Sequence, residues 1–123
     1  MNYYEEIKNE LINNEVTKRV KDYSKNRSDL ETYYNVGKLL SEAGKEYGKN
    51  IIKQYSIKLI NEVGKIYNER TLYRMRKFYD LFSNEKLTPL VSKLSWSHYT
   101  LLLSLKNNDE IIYYINKTLS NNL

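Results

Sequence analysis

Apolar residues recur along the start of the chain at near-helical spacing: Tyr4, Ile7, Leu11, Val16, Val20 and Tyr23, with charged residues between them. That spacing sets one side of a helix against a core, so residues 3–24 read as a first helix. After a break at Asn26-Arg27-Ser28, the quartet Ser28-Asp29-Leu30-Glu31 has the form of a capping box. In such a box a hydroxyl and a carboxylate satisfy free backbone N–H groups at a helix start. The second helix would run to about Glu42 on Leu30, Tyr33, Tyr34, Val36, Leu39 and Leu40, with Gly44 ending it and Gly48 in the next turn. A third helix, about Asn50 to Val63, carries the stripe Ile51, Ile52, Tyr55, Leu59, Ile60 and Val63, and Gly64 is expected to end it in the left-handed conformation. Asn68 or Thr71 opens a fourth helix over about 69–82. A looser stretch, Ser83 to Lys93, holds the one Pro, and a fifth helix over about 95–106 carries Trp96 and Leu101 to Leu105. Asn107-Asn108-Asp109-Glu110 offers a capping signal ahead of a sixth helix with Ile111, Ile112, Tyr114, Ile115 and Leu119. No segment alternates with period two. The pattern predicts an all-α fold, a compact bundle of about five to six helices forming one domain over residues 1–123.

Composition narrows the class. The chain has 123 residues, 41% of them hydrophobic and 28% charged, which supports one packed core rather than a disordered chain. Four Gly and one Pro leave few breaks, as helices require. With no cysteine, disulfides, zinc–thiolate sites, iron–sulfur clusters and thiol catalysis are excluded. The same absence agrees with a reducing cytoplasm, the expected location. The start, Met1-Asn2-Tyr3-Tyr4-Glu5-Glu6, is acidic and lacks an apolar signal core. Runs such as Leu101-Leu102-Leu103 are far too short to span a bilayer.

The placement of charge says more than the net value of +5. Residues 1–48 hold eight Lys/Arg and nine Asp/Glu, and residues 78–123 hold four of each. Residues 49–77 hold eight Lys/Arg and two Glu, so the entire excess sits on one central segment. A concentrated basic stretch is what a polyanion-binding face needs.

On a helical wheel at about 100° per residue, Leu72, Met75, Tyr79 and Phe82 share one side, with Phe78 near its edge. Arg70, Tyr73, Arg74 and Lys77 lie on roughly the opposite side, flanked by Arg76. The preceding helix adds Lys53 and Lys58, and the intervening turn adds Lys65 and Asn68. Arg grips phosphates or guanine edges with paired hydrogen bonds, and Tyr donates to phosphate or stacks on a base. Residues 49–82 therefore read as a helix–turn–helix-like pair, whose second helix would face a nucleic acid. Leu72 and Met75 fall about two residues later than a strict helix–turn–helix wants, so the turn would be a variant. The plain alternative is a core helix with a solvated basic face.

No site for catalysis stands out. His98 is the single histidine, which leaves no recognisable metal ligand set, and no metal or cofactor is expected. Trp96 reads as a core anchor. Glu6-Ile7-Lys8 matches an acid-x-Lys nuclease triplet but sits on a predicted helix with no upstream Asp. There is no phosphate-cradling glycine loop and no nucleophile elbow. The expected class is a non-enzyme.

Four segments carry a resemblance to a known family. These are Tyr33-Tyr34-Asn35-Val36-Gly37-Lys38-Leu39-Leu40, Tyr47-Gly48-Lys49, Thr71-Leu72-Tyr73-Arg74-Met75-Arg76-Lys77-Phe78-Tyr79, and Leu94-Ser95-Trp96-Ser97-His98-Tyr99. Their order resembles the N-terminal domain of the YhcG-type family of bacterial PD-(D/E)xK nucleases, over about residues 15–115. The resemblance implies a helical, helix–turn–helix-like domain that binds DNA and positions a separate C-terminal nuclease. With the sequence ending at Leu123, the expectation is a domain without that nuclease, either a fragment or a stand-alone form from a mobile element or phage.

Two functions remain open at this stage. One is nucleic-acid binding, duplex DNA ahead of RNA, through Lys53, Lys58, Lys65, Asn68, Arg70, Tyr73, Arg74, Arg76 and Lys77. The other is a protein-interaction module: a homodimer, a docking domain for a nuclease, or an inhibitor of a defence nuclease. Tyr3-Tyr4 and Tyr113-Tyr114 are its candidate contact faces. Membrane binding is disfavoured, because the apolar face of residues 69–82 is needed for the core.

Overall fold

A computed structural model describes residues 2–20, 25–83, 96–104, 110, 111, 113, 114 and 117, with backbone only for 17–20, 25–28 and 98. The order is α1 (Tyr3–Val20), α2 (Lys25–Tyr47), α3 (Asn50–Glu62), α4 (Glu69–Ser83) and α5 (Trp96–Leu102). The fold is an all-α bundle, with no strand among the described residues. Of the expected sixth helix, Glu110, Ile111, Tyr113, Tyr114 and Lys117 are helical. Ile112, Ile115 and Leu119, the capping stretch 107–109 and most of the looser segment lie outside the described residues.

The first four helices enclose one core. Tyr4, Ile7 and Leu11 of α1 meet Tyr33, Val36, Leu40 and Ala43 of α2, Ile52, Tyr55 and Leu59 of α3, and Leu72 and Met75 of α4. The Ile, Leu, Val and Met side chains among them contribute about 1.5–3 kcal/mol each on burial. The stripe of α1 departs from expectation at Val16, which is 55% exposed, while Asn14 is buried and donates to Asp29 Oδ1 at 2.9 Å. A polar residue is tolerated there because its amide is satisfied from α2.

A second core lies further along α4. Phe78, Leu81 and Phe82 pack with Leu30, Tyr99, Leu103 and Ile111. Phe78 is its hub, with ring centroids 5.2 Å from Phe82, 5.0 Å from Tyr99 and 5.5 Å from Trp96. Phe78 is thus fully buried rather than at the edge of the stripe, and Tyr79 is the half-buried one. Covered by α2 on one side and α5 on the other, α4 buries a wider arc than a surface helix does. Trp96 packs against both cores and sits 4.7 Å from the Tyr33 ring.

Helix ends correct three further expectations. The second helix starts at Lys25, so Ser28 lies inside it rather than at its cap. It continues through Gly44 to Tyr47, and Gly48, at φ +89°, is the residue that turns the chain. Its N–H closes the helix by donating to Gly44 O at 2.9 Å. At the end of α3 no left-handed glycine is needed, since the Val63 and Gly64 N–H groups both donate to Leu59 O, at 2.8 and 3.0 Å.

Gly37 fixes how closely α2 and α4 approach. A Cβ at this position would overlap the Met75 carbonyl oxygen and lie 2.8 Å from Tyr79 Cβ. The missing side chain lets the two helices touch backbone to backbone, which seats α4 and everything it displays.

Candidate nucleic-acid interface

The turn from α3 to α4 spans residues 63–68 and is held from beneath by Tyr67, which is 1% exposed. Its carbonyl accepts from Ser56 Oγ at 3.2 Å, and its hydroxyl donates to Glu15 Oε1 at 2.9 Å. Burial, and then the bond to Glu15, raise the Tyr67 phenol well above its ordinary pKa, so it stays protonated as the donor. Periodicity gave no reason to assign Tyr67 to the core, because it lies in a turn. Asn68 begins α4: its Oδ1 accepts from the Thr71 N–H at 3.0 Å while its carbonyl accepts from Leu72 N at 3.1 Å. That is N-cap geometry, so the side-chain oxygen of Asn68 serves the helix start.

From this start, α4 buries Leu72, Met75 and Phe78 and turns its cations the other way. Arg70, Tyr73, Arg74 and Lys77 line one open cleft of about 470 Å³. Its further wall is Leu103 and Ser104, in the turn that follows α5. A shallower concavity on Asn68, Glu69, Arg70 and Tyr73 adjoins it, sharing Arg70 and Tyr73. Arg70 is exposed and Arg74 half-buried, and neither forms a salt bridge among the described residues. Arg76 is engaged locally. Its guanidinium lies 4.9 Å from the Tyr73 ring centre, and its Nε is 4.0 Å from Asp80 Oδ2.

The remaining candidates are not gathered there. Lys53 and Lys65 are exposed and line neither concavity. Lys58 belongs to a cluster between α1 and α3, with its Nζ 5.1 Å from the Tyr4 ring centre. In that cluster Lys8 Nζ and the Tyr4 hydroxyl both donate to Glu62 Oε2, at 3.1 and 3.0 Å. Those two bonds, Lys8 first, hold the Glu62 carboxyl below the usual range. Tyr4 is therefore core, and Tyr3-Tyr4 is not an exposed aromatic face. Sequence reading also missed Leu103 and Ser104, which reach the cleft only through the packing of α5 on Phe78. The His98 side chain lies outside the described residues. Among the described residues no group of three His, Asp or Glu is placed to hold a metal, and no helix is long and apolar enough to cross a membrane.

The fold and cleft define a class: a helical bundle that displays a basic cleft on its fourth helix. The chain belongs to the DUF1016 N-terminal domain family, whose model matches residues 6–123. That is the N-terminal domain of the nuclease-associated YhcG-type family that the four sequence segments resemble. No curated protein and no solved structure matches it.

Proposed function

We propose that this domain binds nucleic acid, with duplex DNA as the expected polymer, by gripping phosphates along α4, and that it contributes binding rather than chemistry. The observation that carries this reading is the convergence of Arg70, Arg74 and Lys77 around Tyr73 in one cleft. It lies in the one segment, 49–77, that holds the chain's whole excess of positive charge. Lys53 and Lys65 add to the field without lining the cleft, and Asn68 acts by setting the start of the helix.

The test is fluorescence anisotropy with labelled DNA across a salt series. Affinity should fall steeply with salt, and the triple variant Arg70→Glu/Arg74→Glu/Lys77→Glu should abolish binding. Three phosphate contacts account for a slope of about −3 in log K against log salt. A folded triple variant that binds like the wild type refutes the proposal.

A second reading, docking to a protein partner, draws on Tyr113 and Tyr114. They are 58% and 41% exposed, and their rings meet edge to face at 5.4 Å. Binding to a nuclease partner that survives high salt, or a dimer by light scattering, supports it.

A further inference from the structure

The cleft on α4 has a shape that a groove-reading helix does not have. The major groove of B-DNA is about 12 Å wide, and an α-helix with its side chains is about 10–12 Å across. A helix that enters the groove therefore fills it, and nothing else can stand beside its reading face. Here Leu103 and Ser104 do stand beside it, forming the opposite wall of the space into which Arg70, Arg74 and Lys77 are gathered. A cleft with a wall on each side takes a single strand more readily than it takes a double helix.

We infer that the cleft between α4 and the Leu103–Ser104 turn takes a single unpaired DNA strand, so that the domain prefers duplex carrying an overhang to uninterrupted duplex. This rests on the nucleic-acid reading above and specifies its ligand. The cations hold the phosphates of the strand. Tyr73 has one ring face covered by Arg76, and a base entering the cleft meets Tyr73 and the apolar edge of Leu103. The strand path extends toward the shallower concavity, which shares Arg70 and Tyr73. Glu69 is the acid on that side and sets the end at which phosphates are least welcome.

The experiment compares three DNA probes with the full chain: a blunt duplex, the same duplex with a single-stranded overhang, and the overhang strand alone. One stacked base supports a preference of about tenfold for the overhang over the blunt end. Ser104 is exposed, so Ser104→Glu puts a negative charge on the outer wall without disturbing the core. It should remove the overhang preference by weakening overhang binding more than blunt-duplex binding, with an unaltered helical CD spectrum. Equal binding of blunt and overhang duplex, both abolished by the triple charge reversal on α4, overturns this inference and leaves the nucleic-acid reading intact. Failure to bind any of the three probes at low salt overturns both.

Discussion

Gly37→Ala adds one methyl group, and the structure says it has nowhere to go. The new Cβ would overlap the Met75 carbonyl oxygen and stand 2.8 Å from both Met75 C and Tyr79 Cβ. Two of those three atoms are backbone and cannot rotate away, so α2 and α4 must separate. Overpacking of this kind costs about 1–3 kcal/mol, and the backbone obstruction puts Gly37 at the upper end. Ala is favoured over Gly inside a helix by about 1 kcal/mol, which leaves a net loss of about 2 kcal/mol. For a chain of 123 residues, 1 kcal/mol corresponds to about 4 °C in Tm, so the variant should melt about 8 °C lower. The control lies in the same helix. Around Gly44 nothing comes within 4 Å of a built Cβ, and its φ is not positive. Gly44→Ala should therefore raise Tm by about 2–4 °C, from a gain of about 0.5–1 kcal/mol. Thermal melts followed by CD decide the matter. If Gly37→Ala is as stable as the wild type, or if both variants shift in the same direction, the proposed backbone contact between α2 and α4 is wrong. Because Met75 lies between Arg74 and Arg76, the same variant should weaken DNA binding, whereas Gly44→Ala should not.

Two further outcomes are expected. Burial raises the phenols of Tyr33, Tyr67 and Tyr99 above the ordinary value, with nearby carboxylates adding to the effect at Tyr33 and Tyr67. Their stabilisation is complete below about pH 10, where the unfolded chain also keeps its protons, and declines above it as the unfolded chain alone ionises. Each contributes a loss of about 1.4 kcal/mol per pH unit, so about 4 kcal/mol should vanish by about pH 11. Tyrosinate absorbance and helical CD should then change together, and titration of all thirteen tyrosines near pH 10 with the helices intact would contradict this. Separately, Glu69→Gln should have opposite effects on stability and binding. It removes an acid from the first turn of α4, costing about 0.3–1 kcal/mol, and takes a negative charge off the strand path, raising DNA affinity about threefold at low salt. Unchanged affinity would place the DNA elsewhere.

Much of the helical plan could be read from spacing alone. The stripes through Ile52, Tyr55 and Leu59 and through Leu72 and Met75 repeat at the period of a helix, and a repeat of that kind has one stable solution, which is burial. The confinement of excess charge to residues 49–77 is likewise a property of the chain written out in a line. The helix start was legible as Asn68 or Thr71, since capping is a local bond, and the structure gives it to Asn68.

What lay beyond the sequence depends on neighbours distant along the chain. Ser28 has the right residues around it for a helix start, but α2 is already under way by then. Asn14 shares the helix face of Tyr4, Ile7 and Leu11, but the burial of a polar residue there depends on Asp29 of α2 coming to meet it, while Val16 lies well round the helix from them and stays outside. Lys58 and Arg70 are alike as letters in a basic segment. Packing of α1 sends the first into a cluster with Tyr4 and Glu62, and the approach of α5 makes the second part of a cleft. Spacing fixes which face of a helix is buried, because that depends on one helix alone. Which cations meet, and what wall stands opposite them, depends on two or more helices at once, so only the tertiary structure decides it.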